Sequence, residues 1–501
     1  MIISNPTKSA DREQPHVIII MADQLRWDVI GEHTPHINSL RSESVDFQRS
    51  YCASPICVPA RGAFFSGRYP GETGCLINPW EKSEAAHGEV RSGIPHLYSL
   101  LEQQWDSWHT GKQHFYHADQ PDNQPDALTH WRPFHKLYNE HMKQLGRPKP
   151  GGPEFKAIAP ELMGGTVTKA KRYSIPTTGC YEEGLAHFYD SFITRSSLEA
   201  LRSRDPDKPM LLNAMFLAPH PPLHIPEPYY SRFREVQMPE NVGRWSPNQS
   251  PLQLYNVTGA LGSHYTRADW ARIWPVYLGL VSLLDDCVGQ LIDELKRQQM
   301  YDNSLIVFTS DHGEMLGSHK LWQKMCMYEE SSRIPLYIKF PADAGIAPRQ
   351  VHQLVSAIDV LPTLCDALGV VPPDGLPGHS LMPSLQGAQH PREQVFIQYD
   401  GNGSRGNYQR CIVADRHKLI VDHFKDEIYL ELYDTEADPQ EHCNLAFECS
   451  QEALIRSLLS KLEEHMRSIS DHLVWPEDLY SDFIHNYGPH AVPQAALGRE
   501  G

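Results

Sequence analysis

The sequence lacks long apolar runs and an N-terminal secretion signal. Residues 17–21 read VIIIM, whereas a helix that crosses a membrane needs about 20 apolar residues. The first ten residues, MIISNPTKSA, contain no apolar core of a signal peptide. We therefore expect no membrane-spanning segment and a cytoplasmic protein, or a periplasmic one if a leader has been removed.

Positive charge is also scarce. The 501 residues hold 45 Lys and Arg against 62 Asp and Glu, a formal net charge of −17 at pH 7. An acidic protein repels phosphate backbones and anionic lipids, so we expect neither nucleic acid nor a membrane as partner. The balance reverses in residues 132–172, which contain nine basic and three acidic residues. This segment, termed the basic insert, either lines the approach of an anionic substrate or is a solvated loop.

Cysteines with close, regular spacing are absent as well. Ten cysteines are spread along the chain, and no two have the C-x-x-C spacing that is typical of zinc and redox sites. A disulfide framework is equally disfavoured, because such frameworks belong to short secreted domains. The pattern predicts free thiols.

Strand-like and helix-like segments alternate over the first three-quarters of the chain. Short apolar runs indicate buried strands at residues 16–22, 209–218, 304–309 and 336–340. Helical patterns open at Thr34 and Pro35 and recur at residues 94–104, 270–299 and 358–368. The alternation predicts an α/β fold with a large, mostly parallel sheet sandwiched by helices, and such sheets bind ligands at the carboxyl ends of their strands.

A segment rich in proline and glycine, residues 372–387, separates two regions of different texture. Beyond it, short runs at residues 395–399, 410–414, 417–422 and 428–433 predict an antiparallel sheet, and residues 451–469 predict a helix. We predict an N-terminal catalytic domain at residues 1–385 and a smaller α+β domain at residues 386–501. The C-terminal tail of this second domain is rich in aromatic residues, which is consistent with a contact between copies of the chain in a homo-oligomer.

Cys57 begins the pentapeptide CVPAR, which ends at Arg61. A cysteine just before a helix that a proline starts exposes its sulfur at the positive end of the helix, where anions are stabilised. The residues alone leave two interpretations open: a buried structural thiol and a nucleophile.

Side chains of the types that commonly bind metals follow two strands that are distant in the sequence. Asp23 and Gln24 end the first predicted strand, and Asp311 and His312 follow the strand at residues 304–309. A lone aspartate at such a position is as often a helix cap or a turn former. Two pairs of this kind, each at the carboxyl end of a buried strand, favour a metal site.

These motifs, in their order along the chain, resemble those of the formylglycine-dependent sulfatase family in the alkaline phosphatase-like superfamily. The similarity spans nearly the whole chain and includes residues 57–61 (CVPAR), 110–114 (TGKQH), 219–222 (PHPP), 310–314 (SDHGE), Lys324 and residues 328–336 (YEESSRIPL). In that family the cysteine is oxidised after translation to Cα-formylglycine, whose hydrated aldehyde is the nucleophile. The resemblance implies a sulfuric ester hydrolase and a formylglycine-generating enzyme as its maturation partner.

The resemblance also implies one divalent metal ion, held by the two strand ends and the modified cysteine: Asp23, Gln24, Cys57, Asp311 and His312. Many family members have two aspartates in the first pair and Asp-Asn in the second. Asp-Gln with Asp-His resembles instead the branch of choline sulfatases, phosphonate monoester hydrolases and many sulfatases of bacterial carbohydrate metabolism. The family favours Ca²⁺, whereas an imidazole ligand favours Mn²⁺, and both stay open.

The remaining roles come from the same resemblance. Arg61 is expected to hold the aldehyde hydrate, and Lys112 and Lys324 to bind sulfate oxygens as point charges. His220 is expected to protonate the departing alkoxide, and His114 to take the proton of the second hydroxyl.

We predict a sulfatase that hydrolyses a sulfate ester of a small sulfated substrate, a mono- or oligosaccharide. The alternative is a phosphonate monoester or phosphodiester hydrolase, or a choline-sulfatase-like enzyme, because folds of this kind host several ester chemistries. A more remote alternative is a non-catalytic protein that binds anionic saccharides and in which Cys57 stays a thiol.

Overall fold

The computed structural model describes residues 14–79, 87–124, 126–163, 166–388, 390, 392–402 and 407–489, with the backbone alone between residues 159 and 171. The strands are β1 (His16–Asp23), β2 (Val45–Tyr51), β3 (Asp106–Gly111), β4 (His130–Pro133), β5 (Lys156–Met163), β6 (Thr166–Ser174), β7 (Thr178–Cys180), β8 (Met210–Pro219), β9 (Leu223–Ile225), β10 (Ser304–Ser310), β11 (Leu336–Lys339), β12 (Arg349–Ser356), β13 (Gln394–Tyr399), β14 (Asn407–Ala414), β15 (His417–Phe424) and β16 (Glu427–Asp434). The α-helices are α1 (Pro35–Ser42), α2 (Cys57–Ser66), α3 (Pro70–Thr73), α4 (Leu97–Leu101), α5 (Phe134–Leu145), α6 (Tyr189–Ser203), α7 (Val257–Gly262), α8 (Arg267–Arg297), α9 (Glu329–Ser332), α10 (Val360–Leu368), α11 (Met382–Leu385), α12 (Glu452–Ser468) and α13 (Leu479–Tyr487).

Eight strands form one large sheet in the order β12-β2-β11-β10-β1-β8-β3-β4. β11 runs antiparallel to both of its neighbours, and every other neighbouring pair in this sheet is parallel. The prediction of a large, mostly parallel sheet is confirmed.

The central strand β1 is buried on both faces because its side chains alternate between two cores. Ile18 and Ile20 enter the core on one face, and Val17 and Ile19 enter the core on the other. This is the period of two that a strand imposes on its side chains. Helices α1, α6 and α8 pack on the first face, and α2 and α10 pack on the second.

The long helix α8 is buried on nearly all sides between Ile273 and Ile292. By length and composition alone it is able to cross a membrane, but 89% of its most apolar window is buried inside the protein. The sequence expectation that no run reaches this length was therefore wrong for α8, and burial marks it as a core helix. It packs against α1, α6 and β8.

The strands β13 to β16 form a separate antiparallel sheet in sequential order, which confirms the predicted second sheet. Helix α12 covers it, and the tail packs back on the same core through α13, where Phe483 is 1% exposed. The domain boundary at residues 385 and 386 and the homo-oligomeric contact stay predictions.

Several elements differ from the sequence expectations. The helix predicted at residues 94–104 is shorter, Leu97–Leu101, and the strands β2 to β7 and helix α6 were not predicted. The hairpin of β5 and β6 matters most, because it belongs to the basic insert and lies beside the pocket described below.

Candidate active site

Four neighbouring strands of the large sheet end at the same edge. β10, β1, β8 and β3 lie side by side and parallel, so their carboxyl ends meet. Asp311, Asp23, His220 and Lys112 lie at or directly after these ends. Sheets of this kind bind ligands at such an edge. The topology thus brings together residues that are up to 288 positions apart in the sequence.

The glycine of the TGKQH motif is required by a close backbone approach. Gly111 has φ +89°, and a Cβ on it would lie 2.0 Å from the carbonyl oxygen of Met215. The next amide, that of Lys112, donates to this carbonyl at 2.8 Å. Because β3 ends so tightly against β8, the Lys112 side chain is directed to the strand edge.

Cys57 is the first residue of α2, and Pro59 is the third. The helix thus begins at the cysteine and not, as expected, at the proline after it, because amides in the first turn have no intrahelical partner and a proline is tolerated there. The sulfur is buried and lies 3.1 Å from Lys324 Nζ, 3.2 Å from His312 Nε2 and 3.6 Å from Lys112 Nζ.

The electrostatics around Cys57 favour an anion. Burial and the Asp23 charge both raise the pKa of the Cys57 thiol. The charges of Lys112, Lys324 and His312 act in the opposite direction and prevail, so the pKa lies well below its ordinary value. A negatively charged atom at this position is stabilised by the same groups.

Asp23, Cys57, Asp311 and His312 each offer a ligand atom, and these atoms all lie within 4.8 Å of one another. Burial and the Asp23 charge raise the pKa of Asp311 to about 6, which reflects the crowding of two carboxylates in one buried site. A divalent cation offsets such crowding, and carboxylate with imidazole is a donor set that suits it. These residues fit the predicted metal.

Arg61 lies one helical turn after Cys57 and is completely buried. Its Nη2 donates to Asp23 Oδ2 at 3.1 Å and its Nε donates to Asp311 Oδ2 at 3.0 Å. The guanidinium therefore holds the two carboxylates in fixed positions. Its predicted contact with a hydrate at position 57 stays a prediction.

Gln24 adjoins this group through Lys324. Lys324 Nζ donates to Gln24 Oε1 at 2.7 Å, and the Gln24 amide nitrogen donates to Glu314. The role of Gln24 as a metal ligand stays a prediction. Glu314 was assigned no role from the sequence, although it ends the SDHGE motif. It is buried and also accepts from the amides of Leu316 and Gln323, so it fixes both Gln24 and the loop that carries Lys324.

The two candidate proton carriers, His220 and His114, are neutral imidazoles. Burial and the charges of Lys324 and Lys112 hold the pKa of His220 well below its ordinary value. Burial and the Lys112 charge lower the pKa of His114 to about 3. His220 Nδ1 donates to the carbonyl oxygen of Pro221 at 2.5 Å, and His220 Nε2 lies 3.9 Å from Asp23 Oδ1.

These side chains form the floor of a pocket of about 390 Å³. The floor is defined here as Cys57, Lys112, His114, His220 and Lys324. The rim is defined as three exposed cations of the basic insert, Lys149, Lys156 and Arg172, which line the same pocket. Aromatic rings form the wall between them: Phe134, Tyr138, Tyr173 and Tyr189.

Comparison with known proteins agrees with this geometry. The family model "Sulfatase" matches residues 15–370, and the model "N-sulphoglucosamine sulphohydrolase, C-terminal" matches residues 317–468. The chain therefore belongs to the sulfatase family. The predicted family, an alkaline phosphatase-like fold and the class of sulfuric ester hydrolases are confirmed.

The individual relatives described next share less than a third of their residues with this chain. Choline-sulfatase of Rhizobium meliloti (strain 1021) is 29% identical over 467 residues, which cover 86% of this chain and 82% of that protein. The phosphonate monoester hydrolase of Agrobacterium radiobacter superimposes with a TM-score of 0.74 at 23% identity, covering 91% of this chain and 96% of that chain. A protein solved in complex with its substrate D-glucosamine-2-N,6-O-disulfate gives a TM-score of 0.67 at 20% identity, covering 92% and 99%. These structural similarities establish the fold.

Proposed function

We propose that this protein hydrolyses a sulfate ester of a mono- or oligosaccharide, with Cys57 converted to Cα-formylglycine. The observation that carries the proposal is the position of Cys57. Its sulfur lies on the pocket floor, 3.1 Å from Lys324 Nζ and 3.6 Å from Lys112 Nζ, at the start of a helix. A nucleophile at this point meets a sulfate whose charge two buried ammonium groups offset.

Formylglycine would supply, as its hydrate, one hydroxyl that attacks sulfur and a second whose deprotonation expels sulfate as the aldehyde reforms. A formylglycine-generating enzyme is the partner that this residue requires. Asp23, Asp311 and His312, with Gln24 and position 57, would hold one divalent ion. That ion would supply positive charge that acidifies the attacking hydroxyl, and Ca²⁺ and Mn²⁺ are the candidates.

The other floor residues either bind the sulfate group or transfer protons. Lys112 and Lys324 bind the sulfate oxygens and hold the ester in line with position 57. His220 donates a proton to the oxygen of the departing sugar, whose alkoxide is too basic to leave unprotonated. His220 is neutral without substrate, and the negative charge of the bound ester raises its pKa. His114 accepts the proton of the second hydroxyl.

The saccharide assignment draws on the pocket and on one structural relative. A volume of about 390 Å³ accommodates a small ligand, and aromatic rings line its wall. The relative described above has a disulfated glucosamine as its named substrate. The same fold in a phosphonate monoester hydrolase keeps hydrolysis of phosphonate monoesters as the second candidate.

The test begins with protein that is coexpressed with a formylglycine-generating enzyme. Mass analysis of the peptide that contains Cys57 is expected to find the aldehyde. Initial rates are then compared on an aryl sulfate, an aryl phosphonate monoester and a phosphate diester, and we expect the sulfate to react fastest. A phosphonate rate far above every sulfate rate would establish the second candidate. Thiol alone at position 57, with no hydrolysis, would leave the binding-protein alternative.

A further inference from the structure

We infer that the substrate carries a second anionic group, a carboxylate or a further sulfate, which the rim cations Lys149, Lys156 and Arg172 bind while the scissile sulfate lies on the floor. The inference rests on the proposed function, because that function places the scissile sulfate at Cys57. It adds a specificity that the family does not fix.

Backbone geometry brings two of these cations together. β5 and β6 form an antiparallel hairpin in which Lys156 pairs with Ser174 and Ile158 pairs with Arg172. Paired residues share a face, and so do residues two apart in one strand, so Lys156 and Arg172 are diagonal neighbours on one face. Lys149 reaches the same pocket from the loop between α5 and β5.

The rim cations have no acidic partner among the described residues. Lys149 Nζ donates to the neutral Asn139 side chain at 2.7 Å, and none of the recorded salt bridges includes Lys149, Lys156 or Arg172. Two other basic residues of the insert are neutralised: Arg132 pairs with Glu199 at 2.6 Å and Arg147 pairs with Glu183 at 2.7 Å. Lys136 and Lys143 also have no recorded ion pair in the described residues, but they do not line the pocket. The pocket therefore receives three of the insert's five described cations that lack an acidic partner.

The lining of the pocket is one-sided in charge. Three rim cations and two floor lysines line it, and no Asp or Glu does so within the part of the chain that the structure describes. This occurs in a protein of net charge −17. Asp23 offsets the charge of Lys112, but the three rim cations have no recorded acidic partner in the described residues. The positive potential of the cavity therefore favours a dianion over a monoanion and a monoanion over a zwitterion. Choline sulfate, whose quaternary ammonium would face three cations, is a poor match despite the similarity to choline-sulfatase.

The test compares four substrates of the matured enzyme: a hexose monosulfate without other charge, a uronic acid monosulfate, a disulfated glucosamine, and choline sulfate. We expect kcat/KM for the better of the two dianionic sugars to exceed that for the neutral hexose by about tenfold, since three exposed ion pairs each contribute roughly 1.5- to 5-fold. If the uronic acid monosulfate has the higher kcat/KM, the second anionic group is a carboxylate; if the disulfated glucosamine does, it is a sulfate. Choline sulfate should be the slowest.

The variant K149Q/K156Q/R172Q should reduce this preference to less than about twofold, with a smaller loss on the neutral hexose. The matched control is Lys143→Gln, because Lys143 is an exposed lysine of the same insert that does not line the pocket. Thermal unfolding verifies that the triple variant and the control both fold. If the triple variant does not fold, the single variant Arg172→Gln takes its place.

Different outcomes would overturn the rim assignment and the sulfatase activity. Equal kcat/KM on neutral and dianionic sugars, or an equal loss on both in the triple variant, would overturn the rim assignment while sulfatase activity stands. Fast turnover of choline sulfate would overturn it as well. Failure to release sulfate from any of the four esters would overturn the proposed function, and the inference with it.

Discussion

The floor and the rim of the pocket both carry positive charge, but they hold it in opposite ways. On the floor, Lys112 and Lys324 are 2% and 4% exposed, and each bonds a side chain that follows or ends β1. On the rim, the cations are exposed, and no salt bridge to them is recorded in the described residues. Buried, bonded charges are fixed in position and poorly screened, whereas exposed charges adapt and are screened by salt.

The difference assigns separate tasks to the two regions. A reacting sulfur tolerates little displacement, so the groups that stabilise its transition state must be held rigidly. Recognition of a second anion requires only that positive charge be near. Changes on the floor should therefore act independently of any second charge on the substrate, whereas changes on the rim should affect substrates according to that charge.

The largest effect is expected at Cys57. Cys57→Ala removes the nucleophile and should lower kcat on all sulfate esters, neutral or dianionic, by at least about a thousandfold. Sulfate release and mass analysis measure it. The matched control is Cys52→Ala, another fully buried thiol, which is absent from the pocket lining and should keep its activity. Residual turnover in Cys57→Ala close to that of the wild type would disprove covalent catalysis at this position.

The next effect concerns His220 and depends on the leaving group. His220→Gln removes the proton donor and should lower kcat by about 10²–10⁴ on a sugar sulfate, whose alkoxide is basic. On a nitrophenyl sulfate, whose leaving group needs no proton, the loss should be at least about tenfold smaller. The two substrates serve as controls for each other within one protein. The same loss on both would assign His220 to binding or positioning.

The buried Arg61 and the rim residue Arg172 should differ in how much each stabilises the fold. Arg61→Gln leaves Asp311 without its buried guanidinium partner and leaves Asp23 with Lys112 as its remaining buried ion pair, so it should destabilise the metal-free fold by about 3–5 kcal/mol. Arg172→Gln removes an exposed charge and should change stability by less than about 0.5 kcal/mol. Denaturant unfolding with chelator measures both, and Ca²⁺ or Mn²⁺ should restore part of the loss in Arg61→Gln. Equal stability of the two variants would contradict the structural role of Arg61.

The meeting of the candidate-site residues at the strand ends was largely predictable from the sequence, and for a physical reason. Parallel strands place their carboxyl ends at one edge, so residues that follow apolar runs, such as Asp23 and Asp311, are brought together whatever lies between them. The role of Glu314 in fixing Gln24 and the loop of Lys324 was not predicted, although the motif that contains Glu314 was recognised. Its role depends on which loop amides turn toward it, and spacing does not specify that.

The rim was only partly predictable. The charge excess of the basic insert was visible in the sequence, but it was equally consistent with a solvated loop. Which cations face the pocket depends on the register of the β5–β6 hairpin, where a shift by one residue moves Arg172 to the other face. The hairpin itself was missed, and specificity is set in such local insertions.

The smallest expected effect distinguishes floor from rim without any mutation. Raising ionic strength from about 0.05 M to about 0.5 M shortens the screening length to a few ångströms and weakens exposed ion pairs. KM for a dianionic sugar sulfate should rise about threefold, while kcat changes by less than about twofold because the floor is buried. In K149Q/K156Q/R172Q the same salt change should leave KM nearly constant, since the screened charges are gone. A salt response that is equal in the wild type and the triple variant would mean that other residues attract the substrate, and the division between floor and rim would then fail.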